Sequence, residues 1–321
     1  MFDYNGIEWR IADCFFEGCD AVQYRTECDR AGECVMNLDL IDAVRARGLD
    51  SPPMVMGVVN VTPDSFSDGG LFADAARAVA HALRLRDQGA DILDIGGEST
   101  RPGAQPVSEA EELERVIPVI EGIRASSPTP ISIDTSKPAV MRAAVDAGAD
   151  MINDVCALRT PEAMATAAEL GVPVCLMHMQ GEPRTMQRAP RYGDVVEDIL
   201  DFFQARISAC VEAGLAREQL VLDPGFGFGK SLAHNLELLA GLDRFATLGL
   251  PVLAGLSRKS MLGAITGRER ADERVAASLA AALLAADRGA VILRVHDVGE
   301  TVDALKVRQA LRDVETTGRN E

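Results

Sequence analysis

Basic residues are in short supply in this chain: 32 Lys and Arg stand against 49 Asp and Glu, for a formal net charge of -17. General attraction to nucleic-acid phosphates is thereby excluded, and an anionic small molecule would need a local basic pocket. Long apolar runs are missing as well. No window reaches about 18 consecutive apolar residues, so neither a spanning helix nor a membrane partner is expected. The opening stretch MFDYNGIEWRIADCFFEGCD starts acidic and has no continuous apolar segment, which excludes a standard secretory signal and points to the cytoplasm. Aromatic residues amount to 4%, with one Trp, within 47% hydrophobic residues. The core must therefore be mainly aliphatic. A dinucleotide fingerprint is absent after the first strand-like run. The later GFGFGK, Gly225 to Lys230, has a glycine rhythm that fits neither that fingerprint nor a Walker loop, so no nucleotide site is expected.

Closely spaced cysteine pairs are lacking too. Four of the seven cysteines (Cys14, Cys19, Cys28 and Cys34) lie in the first 34 residues, separated by four, eight and five residues, with no His nearby. Zinc sites usually space their ligands more tightly, so these read as reduced thiols in a peripheral segment. Cys156, Cys175 and Cys210 lie in or beside apolar runs and read as small core residues.

What the chain does have is an alternation. Eight apolar runs, each ending in a polar residue, are followed by helix-like stretches: MVMGVVN, DILDIGG, PISIDT, MINDV, VPVCLMH, LVLDPG, PVLAGLS and VILRVHD, between Met54 and Asp297. Near-continuous apolarity fits strands buried on both faces of a parallel sheet. Helical patterns span about 73–88, 108–125, 138–147, 161–170, 192–213, 232–245, 271–287 and 301–312, several ending in Gly-containing stops such as QGAD, AGAD and RGAV. Repeated units of this kind imply right-handed crossovers, and about 250 residues is typical of one eight-fold barrel. The expected class is α/β, a (β/α)8 TIM barrel over residues 51–321 with an N-terminal extension over 1–50. An open doubly wound sheet is the runner-up. The extension differs in texture, carries a short helical pattern at Leu38 to Arg47, and is closed off by Ser51-Pro52-Pro53.

In such a barrel, the C-terminal strand ends and the loops after them converge on one pocket. The polar residues there are Asn60, Glu98 to Arg101, Asp134, Asn153, His178, Asp223, Ser257 to Lys259, Arg294 and His296. Carboxylates deep in apolar strands need donors, which Asp134 and Asp223 find either within the protein or on a ligand. A 2-amino-4-oxo heterocycle presents adjacent N–H donors that match a carboxylate bidentately, and Asn153 can both donate and accept beside it. Two aspartates and an asparagine at equivalent strand ends favour the ligand. Arg101, Arg258, Lys259, Arg294 and His296 form a basic group suited to an anion, and loops after the last strands of such barrels commonly hold phosphate. Two polar loops, Asn60 to Phe72 and Gly96 to Ala104, suit lids over a substrate. His178 fits the barrel without an assigned role.

At these residues the chain resembles the dihydropteroate synthase family of pterin-binding barrels. MGVVNVTPDSFSDGG, DIGGESTRPGA, ISIDTSKP, INDV, LDPGFGFGK, SRKS and RVHDV occur in that family's order and cover essentially all of residues 54–312. The resemblance implies condensation of 6-hydroxymethyl-7,8-dihydropterin diphosphate with 4-aminobenzoate, by an SN1-like route, to 7,8-dihydropteroate and pyrophosphate. It implies that Asp134, Asn153, Asp223 and Lys259 hold the pterin. Asn60, Arg101, Arg294 and His296 would hold the diphosphate, with Mg2+ as cofactor liganded partly by Asn60. Thr100, Pro102, Phe228 and Arg258 would border the aminobenzoate, and Asp134, Lys259, Arg294 and His296 would carry catalysis. It also implies a homodimer and a sulfonamide target or resistant variant. Two alternatives are a pterin-binding methyltransferase acting on a corrinoid, which has no need of the basic clamp, and a catalytically silent scaffold, which has no need of intact Asn60, Asp134, Lys259 and His296.

Overall fold

In the computed structural model, residues 25–28, 34–37, 40–48, 51–61, 70–100, 103–181 and 185–317 are described. The chain divides into two compact units, 1–39 and 40–321. In the first, β1 (Arg25–Cys28) and β2 (Cys34–Asn37) pair antiparallel, with Cys28 opposite Cys34. No strand is expected there from the sequence, because four-residue segments are too short to display an alternation. Cys14 and Cys19 lie outside the described residues.

The second unit begins with α1 (Leu40–Arg45), whose Leu40, Ile41 and Val44 are buried with Met54, Met56, Ile92, Met151, Val221, Leu253 and Ile292. These are residues at or near the starts of barrel strands, so α1 closes the N-terminal end of the barrel. The compact unit therefore starts at residue 40 and not at 51 as the sequence suggests, because this helix has apolar side chains that only the barrel floor can cover.

The eight parallel strands are β3 (Met54–Asn60), β4 (Ile92–Gly96), β5 (Ile131–Asp134), β6 (Met151–Asp154), β7 (Val174–Met177), β8 (Leu220–Asp223), β9 (Val252–Ala254) and β10 (Ala290–Val295). They close in the order β10-β3-β4-β5-β6-β7-β8-β9. The outer ring contains α2 (Gly70–Asp87), α3 (Glu109–Arg124), α4 (Pro138–Asp146), α5 (Ala163–Leu170), α6 (Val195–Glu212), α7 (Leu232–Ala240), α8 (Ser260–Thr266), α9 (Val275–Ala286) and α10 (Val298–Thr317). Caps fix several starts: the Ser108 hydroxyl accepts from Glu111 N–H, and Asp194 accepts from Val196 and Glu197. The pattern expected over 232–245 breaks at Gly241, where α7 ends and a 3-10 helix (Leu242–Leu248) follows. The one over 271–287 begins as a 3-10 turn, Ala271–Arg274, before α9.

Register then decides what faces inward. Asp94 is paired with Ser132, Gly96 with Asp134, Asp134 with Asn153, Asn153 with Cys175, and Met177 with Asp223. Side chains alternate along a strand. One parity therefore points Asp94, Asp134, Asn153, Asp223 and Arg294 into the barrel, above the apolar floor. Among the described residues no helix is long and apolar enough to cross a membrane.

Candidate active site

At the C-terminal end of the barrel an open pocket is lined by Thr100, Asp134, Asn153, Asp223, Phe228, Lys259 and Arg294 of the expected residues, with Val155, Met177, Phe226 and Gly255 as further wall. Arg294 is its electrostatic centre. Its Nε donates to Asp94 Oδ2 at 2.6 Å and its Nη2 to Asp134 Oδ2 at 2.8 Å. Asn153 Nδ2 lies 3.4 Å from both Asp94 oxygens. Asp223 Oδ1 accepts from the Gly225 N–H at 2.8 Å. The Lys259 ammonium sits 4.2 Å from the centre of the Phe228 ring, a cation–π distance.

Burial sets the titration of these groups. It pushes Asp134 up to about 7, against the pull of Arg294 and with the neighbouring Asp94 adding to the rise. Asp223 is raised for the same reason, opposed by the Gly225 N–H and by Lys259. Burial lowers Lys259 to about 8, with Asp223 opposing. Burial would also lower Arg294, yet Asp94 and Asp134 together hold it above its ordinary value. The pocket thus holds two acids whose titration burial raises, Asp134 and Asp223, beside the fixed cation Arg294. A ligand edge carrying N–H donors would favour their charged forms.

Other expected residues stand elsewhere. Asn60 is half-buried at the end of β3 and does not line the cavity. Nor does His296, whose backbone N–H and Nδ1 lie 3.2 and 3.1 Å from Ser257 Oγ; burial and the adjacent Arg294 lower it to about 3, so the ring is neutral. The Arg258 guanidinium turns to Asp297, with Nε–Oδ2 3.0 Å and Nη2–Oδ1 2.5 Å. Arg101 and Pro102 lie outside the described residues, as do residues 62–69 of the first expected lid. The second loop expected to be a lid is anchored where it starts: Lys137 pairs with both Glu98 and Glu112, and Arg115 Nη1 donates to the Gly97 carbonyl at 2.7 Å. For a Mg2+ ion, Asn60 offers a hard oxygen donor, and among the described residues no group of three or more His, Cys, Asp or Glu is arranged to hold a metal. That donor set fits an ion which keeps most of its water and takes further oxygens from a substrate phosphate.

Three features escaped the sequence. Asp94, fully buried, lies two residues before its strand's end, where a rule that takes only the last polar residue passes over it. Lys230 is 3% exposed, and its ammonium lies 2.9 Å from the Gly225 carbonyl, 3.1 Å from that of Phe228 and 3.0 Å from His178 Nδ1. Burial, with the Lys230 charge beside it, lowers His178 to about 2 and leaves a neutral ring to accept from Lys230. His178 thereby gains its role: packed T-shaped against Phe202, ring centres 4.8 Å apart, it ties the end of β7 through Lys230 to the loop after β8. The third feature is the purpose of GFGFGK. Gly225 and Gly229 have φ of +71 and +63, and a Cβ on them would lie 1.9 Å from the His178 carbonyl and 2.4 Å from that of Gln180. The glycines let this loop lie directly on the one after β7, carrying Phe228 to the cavity wall.

The sequence profile described as pterin binding enzyme matches residues 56–296. A dihydropteroate synthase of Haemophilus influenzae is 54% identical over 260 residues, which is 81% of this chain and 94% of that protein. Among solved structures, the Xanthomonas albilineans dihydropteroate synthase with 4-aminobenzoic acid is 56% identical with a TM-score of 0.78, covering 90% of this chain and 99% of that one. The same enzyme in complex with 7,8-dihydropteroate aligns with a TM-score of 0.75 and 56% identity, over 82% and 95% of the two chains. The profile spans most of the barrel, and the relatives match nearly end to end. The chain belongs to the family of pterin-binding enzymes.

Proposed function

We propose that this chain is a dihydropteroate synthase, joining 6-hydroxymethyl-7,8-dihydropterin diphosphate to 4-aminobenzoate with release of pyrophosphate. The observation that carries this is that Asp134, Asn153, Asp223 and Lys259 line one pocket around the Asp94–Arg294–Asp134 bridge. Asp223 and Asn153 take the N–H edge of the pterin, and Lys259 donates to its carbonyl. Asp134 lies beside the exocyclic carbon. As the C–O bond breaks in an SN1-like step, the methylene becomes cationic, conjugation spreads the charge over the ring, and the Asp134 carboxylate stabilises it. Among the described residues Nε and Nη2 of Arg294 are the atoms bonded to carboxylates, and its Nη1 is assigned to the departing diphosphate together with Arg101 and His296. Asn60 would be a protein ligand of Mg2+, which when bound supplies charge neutralisation to the leaving oxygens. Thr100, Pro102, Phe228 and Arg258 border the aminobenzoate. Its aryl amine is a free nucleophile at neutral pH, so no strong general base is needed. A sulfonamide, which mimics 4-aminobenzoate, would compete at that wall.

Two further readings accompany this one. The chain works in the cytoplasm, in keeping with free Cys156, Cys175 and Cys210 in the barrel. It forms a homodimer through α10, where Val307, Leu311 and Val314 are 73%, 61% and 69% exposed in one stripe. Turnover of the two substrates, followed by pyrophosphate release with and without Mg2+, tests the reaction. Mg2+-dependent product formation supports it, and no product under either condition overturns it.

A further inference from the structure

The turn that presents Lys259 is built around a strained residue. Arg258 has φ of +59, a left-handed conformation that side chains other than Gly, Asn and Asp rarely adopt. Such a residue persists only where its surroundings over-determine it, and here both its backbone polar groups are taken by the start of α9. Its N–H donates to Ser278 Oγ at 2.9 Å, and its carbonyl accepts from Arg274 Nη1 at 2.9 Å. The Ser278 hydroxyl in turn donates a hydrogen bond to the Arg274 carbonyl at 2.7 Å. Arg274 is itself braced, with Nε on the Arg268 carbonyl at 3.0 Å and Nη2 on that of Glu269. Room for its guanidinium exists because residue 263 is glycine: a Cβ there would lie 2.6 Å from Arg274 Nε. Ser278 is 5% exposed, and neither it nor Arg274 lines the cavity.

The reversal at Arg258 separates two directions. Arg258 itself turns out to Asp297, while Lys259, the next residue, turns in to Phe228 and the cavity. We infer that Ser278 and Arg274 are positioning residues for the reaction, a backbone clamp that holds Arg258 in its left-handed conformation and so aims the Lys259 ammonium at the pterin. This rests on the dihydropteroate synthase reading given above. Without the clamp, Arg258 relaxes toward ordinary backbone angles and the Lys259 ammonium leaves the cavity.

A double-mutant cycle tests it. Ser278→Ala should raise KM for the pterin diphosphate about tenfold with kcat changed less than about threefold, since binding and not chemistry is lost. Arg258→Gly places at 258 a residue that adopts positive φ freely. In that background, Ser278→Ala should change KM by less than about twofold. An equal loss in both backgrounds overturns the clamp, because a general packing defect does not depend on which residue occupies 258. So does an unchanged KM in the single variant. Should Ser278→Ala fail to fold, Arg274→Gln takes its place in the same cycle with the same two outcomes. Unmutated protein in the same assay separates the clamp from the reaction. If it shows no turnover, the reaction reading has failed, and the cycle is read instead from the affinity for 6-hydroxymethylpterin by fluorescence titration.

Discussion

Replacing Gly225 by Ala should damage binding and stability together, by amounts that follow from two distances. At φ of +71 the new Cβ would lie 1.9 Å from the His178 carbonyl oxygen, where about 3.3 Å is a close carbon–oxygen approach. The loop or the end of β7 must give way by roughly 1.4 Å in an interior packed as densely as an organic crystal. Forcing a side chain into a left-handed conformation costs about 1 kcal/mol, and forced displacement in a packed region about 1–3 kcal/mol more. A loss of about 2–4 kcal/mol corresponds to a fall in Tm of roughly 3–6 °C in a chain of this size.

The functional effect follows from the same movement. The Gly225 N–H orients the Asp223 carboxylate at 2.8 Å, and Lys230 holds the Gly225 carbonyl at 2.9 Å. Moving residue 225 moves Asp223 by a comparable distance, and a misplacement of about 1 Å can cost about a hundredfold. Thermal denaturation and pyrophosphate release, measured on the same preparation, give both numbers. Gly171 provides the control: its φ is +66, with nothing within 4 Å of its Cβ position, so Gly171→Ala should cost only the strain and leave kcat/KM untouched. Gly225→Asn provides the discriminator, since Asn tolerates the left-handed region yet brings the same Cβ. A Gly225→Asn variant with wild-type activity would show that backbone angle, not the His178 carbonyl, demands glycine. A Gly225→Ala variant with unchanged Tm would refute the argument altogether.

The profile of kcat/KM against pH should be bell-shaped: it falls below about 7 as Asp134 takes up the proton that burial favours, and falls above about 8 as Lys259 gives up the proton that burial disfavours. A flat profile from about pH 6 to 9 would contradict both assignments. Asp94→Asn removes a fully buried partner of Arg294; breaking one side of such a pair should cost about 3 kcal/mol in chemical denaturation, and unchanged stability would mean that Asp134 alone suffices. Leu311→Glu, on the exposed stripe of α10, should yield a monomer in sedimentation without loss of Tm, and a persisting dimer would place the interface elsewhere.

The barrel was legible because strands buried on both faces leave an unmistakable run of Val, Ile, Leu and Met, and because Gly-containing stops recur between units. Helix edges were less so. Gly241 ends α7 before the apolar pattern does, and the turn at Ala271–Arg274 starts as 3-10 where the composition is uniformly helical. The position of α1 was not legible at all. Its six residues look like part of an extension, and only the closed floor of the barrel shows where Leu40, Ile41 and Val44 are covered.

The site was legible to the extent that parity decides it. Asn153 and Asp154 are adjacent and both are buried, yet only the first faces the cavity; the second caps its own loop, accepting from Ser136 and from the N–H groups of Cys156 and Leu158. Strand alternation separates them once register is known. What a linear reading cannot supply is pairing over distance. Arg294 meets Asp94 across 200 positions of sequence and Asp134 across 160, because β10 closes on β3 and brings the last strand beside the first. Grouping residues by charge sign sets the cations apart as an anion site. Barrel closure instead interleaves the two signs, placing Arg294 between two carboxylates and Lys259 opposite Asp223. A chain of net charge -17 thus holds its cations where acids from three other strands stabilise them. Of these acids Asp134 and Asp223 line the pocket, and they are the ones to which the proposed pterin would bring its N–H donors.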